Sequence, residues 1–290
     1  MAGFAHQLLS GIVSGSTYAA LALALVMIYR ATNLVNFAQG EMAMFSTYVA
    51  WTLLSMGFPY WLAFPITIVL SFALGVGLEY AIVRPISSRS ALDVVVVFIG
   101  LLMIFNSLAG WLWTTTIKTF PSPFPATMIP KNTYISAHEV GLLIVTFVLL
   151  SGLYVLLQFT RLGLAMRAVA QNRESSMLVG IRVGRMLALG WGIAAAIGAV
   201  AGIMVAPILY LDPNMMLGVI IYGFAGALVG GIDNPWGAVA GGLLVGVLEN
   251  LLGTYVIGTE VKLSVALVVI IGVLVVKPSG LFGRTAVTRV

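Results

Sequence analysis

Long apolar stretches separated by short polar breaks set the pattern of this chain. Residues 8–29, 61–83, 94–113, 140–159, 187–210 and 236–256 are each about the length a helix needs to cross ~30 Å of hydrocarbon. Shorter apolar stretches run over 42–56, 216–230 and 261–276. Proline-bearing breaks follow several of them, at Arg84-Pro85, Asp212-Pro213-Asn214 and Asp233-Asn234-Pro235. The pattern predicts an all-α, polytopic transmembrane protein of eight or nine membrane segments in one membrane domain over residues 1–290. The segments at 42–56 and 216–230 are short enough to be re-entrant or broken helices. Arg84-Pro85 is expected to end the third helix, because proline cannot continue the hydrogen-bond ladder. Gly11 and Gly15, then Ala194, Gly198 and Gly202, and the pairs Gly237/Gly241 and Gly242/Gly246, space small residues as helix-packing faces.

Composition narrows the function classes. The 290 residues are 61% hydrophobic and only 8% charged, with mean hydropathy +1.10, far beyond the needs of a water-soluble core. A net charge of +5 carried mostly by the polar breaks fits an anionic lipid surface. It argues against nucleic acid, since no basic tract is interleaved with aromatic residues. There is no cysteine and there are two histidines, His6 and His138, far apart in sequence. Thiolate chemistry, a histidine metal site and a cofactor site are not expected. The first segment lacks a basic leader and a clear cleavage site, so it is expected to be retained as a span.

Charge places the segments relative to the membrane. Arg161, Arg167, Arg173, Arg182 and Arg185 crowd a single connection against one acid, Glu174, and such a basic island belongs on the cytoplasmic face. Alternate counting then puts 30–40, 84–93, 231–235 and the C-terminus inside, and the N-terminus outside. The proline-rich loop 114–139, with few basic residues, falls outside. Within the island, Leu162–Met177 reads as a short amphipathic helix ending near Gly180, with Met166, Val169, Ala170 and Met177 on its apolar side. Arg167, Gln171, Asn172, Arg173 and Glu174 are candidates to meet a soluble motor subunit; lipid-headgroup binding is the alternative.

Polar residues beside the spans are the candidates for a solute path. Asn33, Asn36, Gln39, Gly40 and Glu41 lie in one short stretch. Placed at membrane depth they need partners or a water-filled cavity; placed in a cytoplasmic connection, the asparagines would simply cap helices. Glu249 and Asn250 lie inside a segment and are further candidates, with pairing to another helix as the other reading. Glu79 and Glu260, near segment ends, are expected to reach the interface. No phosphate loop, hydrolase triad or metal cluster is present in the sequence, so any driving energy must come from another chain.

Five stretches, RATNLVNFAQGEM (Arg30–Met42), IVRPISSRSALD (Ile82–Asp93), RAVAQNRESSMLVGI (Arg167–Ile181), VGGIDNPWGAVAGG (Val229–Gly242) and KPSGLFG (Lys277–Gly283), together resemble the permeases of branched-chain amino acid ABC importers. The resemblance runs nearly end to end. It implies a transport subunit that is not itself an enzyme. Its partners would be a second homologous permease, two cytoplasmic ATPase subunits, an extracytoplasmic solute-binding protein and membrane lipid, in a bacterial cytoplasmic (inner) membrane. The Arg167–Ile181 stretch corresponds to the ATPase-contacting loop, with Ala168-Val169-Ala170 where that loop's leading acid would stand. Relatives in the wider group carry urea, amides or other amino acids. An ATP-independent channel or carrier for a small neutral solute is the alternative.

Overall fold

The computed structural model describes residues 2–32, 34–87, 89–125, 135–256, 258 and 262–283. Helices follow one another along the chain as α1 (Ala2–Thr32), α2 (Gln39–Ser55), α3 (Tyr60–Leu78), a π turn (Glu79–Val83), α4 (Arg84–Ile86) and α5 (Ala91–Trp113). Then come α6 (Ala137–Phe159), α7 (Arg161–Gln171), α8 (Arg173–Leu178), α9 (Val183–Leu209), α10 (Met215–Gly230), α11 (Pro235–Tyr255) and α12 (Lys262–Val276). Among the described residues, six helices are long and apolar enough to cross a membrane. With the shorter α2, α10 and α12 they make an all-α multi-pass membrane protein.

Each boundary has a local cause. Ser90 and Asp93 form a reciprocal capping box that starts α5. At its other end the Trp113 ring stacks on Tyr48 at 5.0 Å and its indole N–H donates to Thr52 Oγ1 at 2.8 Å. Asn234 caps α11 through Trp236 and Gly237, with Pro235 in the first helical position.

Two expectations need correcting. Helical structure does not stop at Arg84-Pro85 but runs on to Ile86 through the five-residue π turn. There the Arg84 N–H donates to Glu79 O, five residues back. This wider register relieves the clash a proline would make with a carbonyl four residues earlier. The amphipathic stretch Leu162–Met177 is likewise two helices. Asn172 is extended (φ −156°, ψ 110°) and caps α8 through Ser175 N. An asparagine that can bond its own following backbone competes with the helix at that point.

The chain divides into two compact units, residues 1–26, 124–143 and 217–290 in one and 27–123 and 144–216 in the other. In the second unit α9 lays its small residues against α2. A side chain on Gly198 would meet Gln39 and Ala43, and one on Gly202 would meet Thr47 and Ala43. A Cβ on Gly75 of α3 would fall 2.5 Å from Trp191 O of α9. In the first unit the opening turns of α1 run against α11. Gly11 lies at Val247, Gly15 at Leu243, Gly242 at Ala19 and Gly246 at Gly15. Without Cβ atoms the backbones approach closely, the main source of attraction where lipid is as apolar as the helices.

Candidate functional site

Two helix rulers fix where α2 begins. Gln39 Nε2 donates to Ala194 O at 2.9 Å. Ala194 lies eleven residues past the start of α9 at Val183, or ~16 Å along a helix of ~40 Å. Glu41 Oε2 accepts from Asn106 Nδ2 at 3.4 Å, fifteen residues past the start of α5 at Ala91, or ~22 Å. The chain at Leu34 still lies level with Gly184 and Leu187, near the first turn of α9. Residues 34–38 therefore run up alongside α9 without helix, and α2 starts level with the middle part of α9. Asn36 and Gln39 are fully buried and Glu41 nearly so.

The local bonds explain the break. Asn36 Oδ1 accepts from Ala38 N at 3.0 Å, while its Nδ2 reaches Gln39 Oε1 at 3.4 Å. Ala38, the residue before α2, offers no side-chain cap, so the Gly40 and Glu41 N–H groups have no acceptor within the helix. A half-helix start at membrane depth presents amide N–H groups and the positive end of the helix dipole. Asn33 lies outside the described residues. Asn106 also donates to Pro213 O at 2.9 Å, which ties the α9–α10 turn to the same cluster.

Glu249 and Asn250 belong to the other unit and sit in a buried network there. Glu249 accepts from the Tyr18 hydroxyl at 3.1 Å and pairs with Lys262 at 3.6 Å. Asn250 donates to Gln7 O at 2.6 Å and accepts from Lys262 Nζ at 3.1 Å. Tyr222 stacks on Tyr18 at 4.8 Å. Gly253 leaves the room that the Lys262 stem occupies.

In the same unit the C-terminal stretch closes the end of α10. Leu281 N donates to Val229 O at 2.7 Å and Phe282 N to Gly230 O at 3.1 Å. The Asn234 amide reaches Phe282 O at 3.0 Å. Gly231 stands at φ +108°, which only glycine adopts without strain. These bonds occupy carbonyls that a helix end leaves unpaired.

Glu79, near its segment end, is turned into the protein rather than out to solvent. It is 1% exposed and holds Arg84 in a fork, Nη2–Oε2 at 2.7 Å and Nε–Oε1 at 3.2 Å. Arg84 also donates to Gly184 O at 2.9 Å, pinning the π turn to the start of α9. The companion acid Glu260 lies outside the described residues.

The basic island separates into exposed and inward-turned parts. Gln171, Asn172 and Glu174 are exposed. Arg167 is half-buried and donates back to Gln158 Oε1 at 3.0 Å; Arg173 lines a cavity with Glu79 and Arg84. On the expected apolar side Val169 is buried, while Met177 is exposed. With Leu178 and Val179 (89% and 76% exposed) it forms an apolar tip. The sequence reading missed that tip, although three apolar residues just ahead of the Gly180 stop were its signal.

Comparison with known proteins gives the family. The family model described as branched-chain amino acid transport system / permease component matches residues 7–274. The high-affinity branched-chain amino acid transport system permease protein LivH of Salmonella typhimurium is 31% identical, covering 99% of this chain and 98% of that one. BraD of Pseudomonas aeruginosa, a permease protein of the same description, is 32% identical over the same shares. A probable branched-chain amino acid transport permease protein LivH from Methanocaldococcus jannaschii is 31% identical over 94% and 90%. Six long apolar helices and matches of this extent leave one assignment: the chain belongs to the family of branched-chain amino acid transport system permease components.

Proposed function

We propose that this chain is the membrane subunit of an ATP-driven importer that carries branched-chain or related amino acids, or a similar small polar solute such as urea or an amide. The observation that carries this reading is the uncapped start of α2, buried beside Asn36, Gln39 and Glu41 level with the middle part of the long apolar helix α9. Donor groups and a positive helix end at that depth suit a solute carboxylate or carbonyl oxygen. Asn36, Gln39, Gly40 and Glu41 are assigned to the path. Asn33 joins them by sequence position, and Glu249 with Asn250 as a second polar cluster. The chain acts as one permease domain in an inner membrane, with its N-terminus outside and its C-terminus cytoplasmic.

The energy comes from partners. A second homologous permease completes the path, an extracytoplasmic solute-binding protein delivers the solute, and two cytoplasmic ATPase subunits drive the change of access. Coupling runs through Arg167, Gln171, Asn172, Arg173 and Glu174, with the apolar tip Met177–Val179 supporting a protein contact over a purely lipid one. Switching access from 1:99 to 99:1 takes ~5.5 kcal/mol of differential binding, a scale that two nucleotides and a docked receptor supply.

Reconstitution of the complex in liposomes tests this reading. Solute uptake will require the binding protein and hydrolysable ATP, and Leu178→Glu will cut both uptake and solute-stimulated ATP hydrolysis more than ten-fold. Uptake that persists without ATP and without the ATPases would establish the channel alternative instead.

A further inference from the structure

A cavity of about 130 Å³ lies in the second unit beside the start of α9, the end that the proposed orientation puts on the cytoplasmic side. Its wall carries both signs of charge. Glu79 supplies a carboxylate, Arg84 and Arg173 supply guanidiniums, and Val83, Val94 and Leu187 supply aliphatic surface. The size is a little below that of an apolar cavity of ~150 Å³ that accepts benzene, so about six heavy atoms fit within it and a larger solute extends toward the exposed side of Arg84.

The setting relates this cavity to the start of α2. Phe98 lies one helical turn beyond Val94 on α5, and Trp191 one turn beyond Leu187 on α9, on the same faces. Their rings meet at 5.7 Å, both fully buried. The next contact along α9 is Ala194 with Gln39. In order along α9, then, come the cavity, an aromatic pair and the start of α2. The Trp191 indole N–H is buried without a hydrogen-bond partner, a costly arrangement in a settled core and a sensible one in an element that changes contacts.

We propose that this cavity is an exit-side site for a zwitterionic aliphatic amino acid, separated from the start of α2 by the Phe98–Trp191 pair. The solute carboxylate meets Arg173 and the exposed edge of Arg84, its ammonium meets Glu79, and its side chain lies against Val83, Val94 and Leu187. Glu79 retains lone pairs beyond those Arg84 engages, so it can accept a second cation without giving up the fork. Arg173 opens α8, so occupancy is felt by the segment assigned to ATPase contact. Solute accumulating inside therefore slows further import. The site rests on the transport reading above and deepens it by naming the solute class.

The test uses the complete permease–ATPase complex in nanodiscs without the solute-binding protein, and radiolabelled leucine as the probe. Saturable binding is expected. 4-Methylpentanoate, which lacks the ammonium, and 3-methylbutylamine, which lacks the carboxylate, will each compete at least ten-fold more weakly than unlabelled leucine. Arg173→Gln and Glu79→Gln will each weaken binding at least ten-fold, with unchanged size-exclusion profiles showing that the complex is intact. In proteoliposomes, leucine on the cytoplasmic face will slow ATP-driven uptake, and Glu79→Gln will lose that sensitivity. Equal affinity for 4-methylpentanoate, or unchanged binding in both variants, overturns the proposal. A complex that imports leucine with ATP yet binds none in this assay refutes the site alone. One that binds leucine here but takes it up without ATP refutes the transport reading alone.

Discussion

Gly246→Val will prevent the protein from accumulating in the membrane, or lower its thermal midpoint sharply in detergent. Gly246 faces Gly15 backbone to backbone, and a Cβ placed on it would overlap Gly15 Cα and N. One turn away Gly242 stands against Ala19, where an added Cβ would lie 2.5 Å from Ala19 Cα. The obstacle at both points is main chain, which cannot rotate aside as a side chain can. Forcing a branched residue into such a seam costs roughly 1–3 kcal/mol in ordinary cores, and more where the backbones themselves must part. Gly77→Ala makes a matched control, because a Cβ on Gly77 meets nothing within 4 Å; its stability will stay within about 0.5 kcal/mol of the parent. Thermal unfolding followed by size-exclusion chromatography reads both. Equal midpoints for the two variants would show that the α1–α11 seam yields more than its geometry allows.

Gln39→Leu will reduce ATP-driven uptake by about five- to 150-fold while leaving the amount of folded protein nearly unchanged. The side chain is fully buried and bonds both Asn36 and Ala194, the latter 155 residues further along the sequence. Leucine fills the same space but cannot bond either partner. A buried polar group deprived of its partner costs roughly 1–3 kcal/mol, and that energy corresponds to the stated range when it falls on the path. The helix–helix contact with Gly198 and Ala43 survives the change, so assembly is spared. Uptake at several solute concentrations, with the protein quantified in the same vesicles, separates the two effects. Unchanged flux and selectivity would mean that Asn36 and Gln39 merely hold the turn before α2.

The sequence carries the spans well because each is decided by local composition. The stretch 94–113 became Ala91–Trp113, and 216–230 became Met215–Gly230. The small-residue faces were also legible, since Gly198 and Gly202, or Gly242 and Gly246, have few other uses inside a membrane helix. Depth was not legible. Whether Asn36 and Gln39 cap a cytoplasmic turn or lie mid-membrane depends on Ala194 and Asn106, far away in sequence. The burial of Glu79 was hidden for a related reason. Its nearness to a segment end gave no sign that it would be buried, which follows from Arg84 folding back across the π turn to meet it. Arg173, grouped by charge with the ATPase-facing residues, lines a cavity because Asn172 breaks the helix just before it.

The central claim is that the start of α2 belongs to the solute path. The absence of native cysteine allows a direct measurement with Ala38→Cys, a small change at the fully buried residue before α2. In proteoliposomes holding the full complex, its labelling by a small charged methanethiosulfonate is measured at rest, during ATP turnover and with saturating solute present. Slow labelling at rest, an increase of at least ten-fold during turnover, and protection by solute are the predicted results. A labelling rate indifferent to both ATP and solute would contradict the claim.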